Sequence, residues 1–238
     1  MDSVERRIAG MTCFAHTMCH VWALAFSGVL MAIAGEFNVT KTQLTAVSSI
    51  GFLMIGLGAL PAGLLATKTN ARFTLQIFFV VSAIGSFLTG LSKSLTMFGI
   101  GFAVLCIGVS FYHVSGLTLI AQGFKKKGKS LGIHGIAGSL GLALGPFIGG
   151  FIGSKWGWHT AFYVLAVPGI LGFVFLLIDK KIPRAHPEKK EAPADLEARK
   201  GIMPLFVLGV IAMGINGIVY RGFTTILPTY LGENIYST

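Results

Sequence analysis

Six stretches of this chain run for about 20 residues or more with almost no charge, long enough to cross the hydrocarbon core of a bilayer as helix. Nothing constrains the fold more. In lipid every backbone N–H and C=O must be bonded internally, so each such run is held to a helix. A soluble chain of 238 residues could not hide this much apolar surface, with 53% hydrophobic and only 12% charged residues and a mean hydropathy of +0.76. The expected class is an all-α polytopic membrane protein. The first run is long enough to span and lacks a cleavage site, so it reads as a span rather than a secretory signal.

The predicted spans lie at 10–37, 44–67 with Pro61 inside, 73–91, 95–124, 130–153 and 160–179. The composition then changes. KKIPRAHPEKKEAPADLEARKG (Lys180–Gly201) is charged and proline-bearing, which predicts a solvated linker. A seventh apolar run starts at Ile202 and continues towards Leu231. The expected organisation is a six-helix bundle over 1–179, a cytoplasmic linker over 180–201 and a seventh helix within 202–238.

Basic residues set the orientation. The N-terminus and the second–third, fourth–fifth and sixth–seventh connections together carry fifteen, among them Arg6, Arg7, Lys68, Arg72 and Lys125–Lys127; the opposite loops carry three, Lys41, Lys93 and Lys155. The bias predicts a cytoplasmic N-terminus in a cell membrane. It also accounts for a net charge of +10 through anionic lipid headgroups, and no nucleic-acid motif accompanies it. Cys13, Cys19 and Cys106 fall inside spans and read as small buried hydrophobes. No metal-ligand spacing is present, and neither a cofactor nor a metal is expected.

The fifth span holds GIHGIAGSLGLALGPFIGG, from Gly132 to Gly150. Seven glycines would weaken a helix in water, but in lipid small residues let neighbouring helices approach closely. Ala137, Gly141, Gly145, Gly149 and Gly153 recur every four residues as one stripe, which predicts a tight helix–helix seam. Gly132, Gly141, Gly145, Pro146, Gly149 and Gly150 also fit G-x8-G-x3-G-P-x2-G-G. That pattern resembles the fifth-helix motif of the major facilitator superfamily, especially its antiporter branches. WGWHTAFYV (Trp156–Val164) resembles the start of that superfamily's sixth helix. AHTMCH (Ala15–His20), FYHVSGLTLIAQGF (Phe111–Phe124) and VYRGFTTILPTYL (Val219–Leu231) are similar to the fosmidomycin-resistance-type branch.

The resemblance implies a transporter of twelve helices in two six-helix halves, against which this chain reads as a fragment or truncated reading frame lacking the C-terminal half. It also implies a gating loop between the second and third helices, of the form G-x-x-x-D-R-x-G-R-R. GLLATKTNAR keeps Gly63, Lys68 and Arg72 but has Thr67 at the acid and Asn70 at the glycine.

Ionisable groups inside spans are costly and default to functional candidates. His16 and His20 in the first span are four residues apart on one face; His113 lies in the fourth and His134 in the fifth. Imidazoles titrate near neutral pH and suit proton relay or solute hydrogen bonding; the structural alternative is a neutral histidine bonded to a backbone carbonyl. The first and fourth helices line the central cavity in the superfamily, which ranks His16, His20 and His113 above His134. Arg221, about 28 Å along the seventh span, reads as a cation at the outer mouth of a cavity or as a snorkelling interfacial arginine. Asn216 reads as helix–helix glue or a solute contact. The functional expectation is a secondary active transporter of a small organic solute, anionic or drug-like, coupled to protons by resemblance. The rivals are a seven-helix sensor or receptor and a membrane-embedded enzyme. No nucleotide-binding loop or catalytic pair supports an enzyme.

Overall fold

The computed structural model describes residues 1–187 and scattered positions from Met203 to Asn234. The chain divides into two compact units, Met1–Pro187 and Glu188–Thr238. In the second unit the described positions are helical, and the predicted seventh span otherwise lies outside the described residues.

The first unit is helical throughout: α1 (Ser3–Glu36), α2 (Lys41–Lys68), α3 (Ala71–Gly90), α4 (Leu95–Ser110), α5 (Tyr112–Gly123), α6 (Lys127–Trp156) and α7 (Trp158–Ile178). Six segments of the described residues are long and apolar enough to cross a membrane, with α4 and α5 sharing one of them as Leu95–Gly123. The first four helices, α1 to α4, start where short polar side chains replace missing intrahelical bonds. Asp2 and Glu5 form a capping box on α1, and Thr40 and Gln43 another on α2. Asn70, which stands where the gating-loop pattern has glycine, caps α3 by accepting the Phe73 N–H at 2.9 Å. Between α6 and α7 the chain turns at Gly157, whose φ of 85° suits a residue without Cβ.

The fourth predicted span departs from one continuous helix. It breaks at Phe111, whose N–H bonds the carbonyl of Gly108, three residues back, at 3.1 Å. No proline is involved. Ser110 Oγ donates back to Ile107 O at 2.7 Å, a local bond that competes with the regular ladder and bends helices. The break places Tyr112 and His113 at the first positions of α5.

Packing follows the small and aromatic residues. α1 lies along α6 and also touches α5; α3 sits between α4 and α7; α2 leans on α4. The centre is aromatic: Trp22, Phe26, Phe78, Phe79, Phe98, Phe102, Tyr112 and Phe162 are fully buried. Trp22 donates its indole N–H to Leu165 O at 2.8 Å, so the largest core side chain leaves no polar atom unpaired. Along α2, Ile50, Leu53, Leu57, Leu60 and Leu64 form an exposed apolar stripe at helical spacing, a surface suited to lipid tails.

Candidate functional site

Across the contact of α1 with α6 the glycine stripe does what its spacing predicts. A Cβ on Gly145 would stand 2.9 Å from Leu24 Cβ and 3.3 Å from His20 O; one on Gly149 would press into the Ala25 backbone, and one on Gly141 into that of Thr17. Gly150 and Pro146 sit against Gly28 of α1. Close approach lets Thr17 Oγ1 donate to Ala137 O at 2.9 Å across the seam. Gly132 differs from the rest of the pattern: it is exposed and its Cβ would meet nothing. Gly138, absent from the predicted stripe, belongs to it, because a Cβ there would meet the His16 ring.

That seam delivers the histidines. His16 and His20 project from the middle of α1 with ring centroids 4.9 Å apart and Nε2 atoms 3.2 Å apart. The break at Phe111 brings His113 to the same level, its ring 5.5 Å from that of His16 and 6.0 Å from that of His20. His134 stacks on His16 at 4.0 Å, and its carbonyl lies 2.8 Å from His16 Nδ1. A carbonyl only accepts, so Nδ1 carries the proton and Nε2 of His16 presents a lone pair. Tyr112 completes the ring stack at 5.2 Å from His16 and donates its hydroxyl to Thr12 O at 2.6 Å. Cys19 Sγ is 3.9 Å from His113 Nε2. One ring nitrogen from each of His16, His20 and His113 lies within 4.8 Å of the others.

His16 and His20 are half-buried and His113 is exposed, so the cluster is a polar patch on the open side of an apolar bundle. All four histidines singled out in the sequence thus meet. His134, ranked last there, supports His16 by stacking and by its backbone. Tyr112 had only a weak signal, as an aromatic beside a histidine. Asn216 and Arg221 lie outside the described residues.

The second polar constellation is at the end of the bundle that holds the N-terminus. Arg72 donates to Ile182 O at 2.9 Å and to Leu176 O, fastening the start of α3 to the end of α7. Gly63 and Lys68, its companions in the gating-loop pattern, touch little: a Gly63 Cβ would meet open space and Lys68 is exposed in the last turn of α2. The acid missing from that loop is supplied from elsewhere. Asp179, just beyond α7, pairs with Arg7 of α1. Its carboxyl feels burial, which raises it, but the bonds from Arg7 and the Lys181 N–H and the charges of Arg7 and Arg72 hold it below the usual value. Sequence reading missed Asp179 because it ends one span while its partner begins another.

The first residues of the predicted linker are docked rather than solvated. Ile182 and Ala185 are buried, and Ala71 N–H bonds Ala185 O at 2.6 Å. A cavity of about 800 Å³ opens beside this segment, lined by Asn70, Arg72, Gln76, Lys180 and Arg184 among others; none of the clustered histidines lines it. At the opposite end Glu36 accepts from Trp158 Nε1 at 2.7 Å and lies 2.9 Å from His159 Nε2, joining α1 to α7.

The family model of the Major Facilitator Superfamily matches residues 12–237. The riboflavin transporter RibZ of Clostridioides difficile (strain 630) is 28% identical over 199 residues, covering 82% of this chain and 43% of that protein. Among solved structures, a bacterial homologue of the human lysosomal transporter Spinster, inward-facing and unoccupied, matches with a TM-score of 0.79 at 17% identity, over 98% of this chain and 56% of that one. The proton:xylose symporter XylE, bound to 6-bromo-6-deoxy-D-glucose, matches with a TM-score of 0.64 at 18% identity, over 74% and 44% respectively. The chain therefore spans about half the length of the proteins it matches.

Proposed function

Because this chain belongs to the major facilitator superfamily, we propose that its six-helix unit forms one wall of the cavity of a secondary active transporter working by alternating access. The superfamily is one of transporters, which favours this reading over a sensor or an enzyme. A second six-helix half is the partner that faces the histidines in this reading, and the proton gradient is the energy source, as for the symporter of like fold. The basic bias, fifteen residues against three, supports an N-terminus in the cytoplasm of a cell bounded by this membrane.

The observation that carries the reading is the ring cluster of His16, His20, His113 and Tyr112 at mid-depth. α1 is about 51 Å long, and His20 sits close to its centre. Imidazole rings around one open patch, backed by the buried Tyr112, offer hydrogen bonds to a polar edge and flat faces for stacking. A small solute with a planar ring and polar substituents fits that chemistry. Riboflavin, named for a relative, is such a solute and is the first to test.

Cells unable to take up riboflavin, made to express this chain together with the second six-helix half, should accumulate the labelled vitamin and stop when a protonophore collapses the gradient. Accumulation no greater than in cells without the protein would sink the riboflavin assignment. Accumulation indifferent to the protonophore would sink proton coupling. Loss in His20→Ala and His113→Ala, normalised to folded protein, locates the site at the cluster; full activity in both removes it from the path.

A further inference from the structure

The three facing imidazoles make a stronger claim than a polar patch. We propose that His16, His20 and His113 form a binding site for a late first-row divalent metal ion, with Zn²⁺ as its natural size and Co²⁺ as its spectroscopic stand-in.

Geometry comes first. Two nitrogens on a tetrahedral zinc about 2.0–2.1 Å away stand about 3.3 Å apart. His16 and His20 already hold their Nε2 atoms at 3.2 Å, because a four-residue helical spacing stacks the two rings on one face. All three donor atoms lie within 4.8 Å, so the widest gap closes by at most about 1.5 Å, a change within reach of side-chain rotation at the exposed His113.

The supporting contacts also suit a metal. Ligating histidines almost always give their second ring N–H to a carbonyl or carboxylate, which fixes the tautomer and aims the lone pair. His16 has that arrangement: Nδ1 faces His134 O at 2.8 Å, the ring stacks on His134 with Tyr112 packed beside both, and Nε2 points at His20. A histidine serving only to satisfy a helix–helix contact has no need of two more imidazoles at its remaining nitrogen. The donor set is all nitrogen, which suits zinc, nickel, copper and cobalt and disfavours magnesium and calcium, whose ligands are oxygens. Three protein ligands leave a fourth position open, and the exposed edge of His113 gives an ion a way in. In the sequence this set was hidden: two of the ligands are on one helix face, but the third lies far along the chain, outside any metal-ligand spacing.

This inference stands apart from the transport reading, because it concerns what the folded chain binds. The test uses the untagged protein in detergent, titrated with CoCl₂ and followed by ligand-field absorption in the visible. One Co²⁺ per chain should bind, give the intense bands of a low-coordinate site, and be displaced by Zn²⁺. His113→Gln changes an exposed side chain and should fold like the parent, as circular dichroism would verify; it should weaken Co²⁺ binding at least tenfold. His20→Gln should do the same. A parent that binds no Co²⁺, or one whose binding is unchanged in both variants, overturns the site.

Discussion

The guanidinium of Arg7, early in α1, is paired with the carboxylate of Asp179, 172 residues further along, at the end of α7. Arg72 grips the same end of α7 through its backbone. The two arginines thus hold the first, third and sixth spans together where the loop pattern alone offered no acid.

This pair makes stability depend on pH in a definite direction. The folded-state carboxyl of Asp179 is lowered from an ordinary value of 3.8, so its contribution is complete above that value and fades as pH falls through the lower folded-state value. Asp179→Asn should cost about 1 kcal/mol at neutral pH, because the partner arginine is partly open to solvent. The variant should also lose less than the parent on acidification. Thermal melts in detergent from about pH 7 down to about pH 3 check both; parallel curves would remove the pair from the account.

The glycines of the α1–α6 seam should separate by position rather than by residue type. Gly149→Ala forces a methyl group against the Ala25 backbone, whose carbonyl carbon lies 3.0 Å from the new Cβ, and should destabilise by about 1–3 kcal/mol. Gly145→Leu should lower the yield of folded protein further. Gly132→Ala meets open space and should stabilise by up to about 1 kcal/mol through helix propensity. Equal melting temperatures for the alanine variants at Gly132 and Gly149 would contradict the close-packing account.

Tyr112→Phe removes one hydroxyl from a fully buried ring and with it the 2.6 Å bond to Thr12 O. A loss of about 1 kcal/mol is expected. Because the ring still stacks beside His16, the proposed solute-binding patch should keep its shape. Transport per folded molecule is therefore the discriminating measurement: a collapse there, with stability intact, would promote Tyr112 from support to direct contact.

Orientation can be read by cysteine labelling after the native Cys13, Cys19 and Cys106 are replaced. Ser92 between α3 and α4 is buried, so its neighbour Lys93, which is exposed, is the better reporter for one side. Lys126 before α6 is exposed and reports the other. In intact cells an impermeant thiol reagent should modify Lys93→Cys and spare Lys126→Cys; the reverse pattern would invert the topology.

The spans were legible because apolar length is a direct physical requirement, and the boundaries fall within a few residues to a turn or two of those read from composition. α1 begins seven residues earlier than the apolar run, at Ser3 rather than position 10, because Asp2 and Glu5 cap a polar first turn that no hydropathy pattern reveals. Gly141, Gly145 and Gly149 announced their seam through period-four spacing, whereas Gly132 shared the motif without sharing the contact. The break at Phe111 was invisible: it has no proline, only a serine bonding back to its own helix. The meeting of His16 with His134 and of Arg7 with Asp179 depends on which helices become neighbours, and the spacing within any one helix says nothing of that.

The glycine seam has a mechanical side. With backbones touching from Thr17 to Gly28, α1 and α6 have no compressible layer of side chains between them and behave as one strut. In the transport reading, any tilt that opens or shuts the cavity must then carry both helices together, and His16, His20 and His134 ride on that strut as fixed cargo, facing whatever lies across the gap with an unchanging profile. A disulfide bridging Thr17→Cys and Ala137→Cys should accordingly leave the working cycle free to run, while a bond that ties the strut to a helix beyond the gap should stall it.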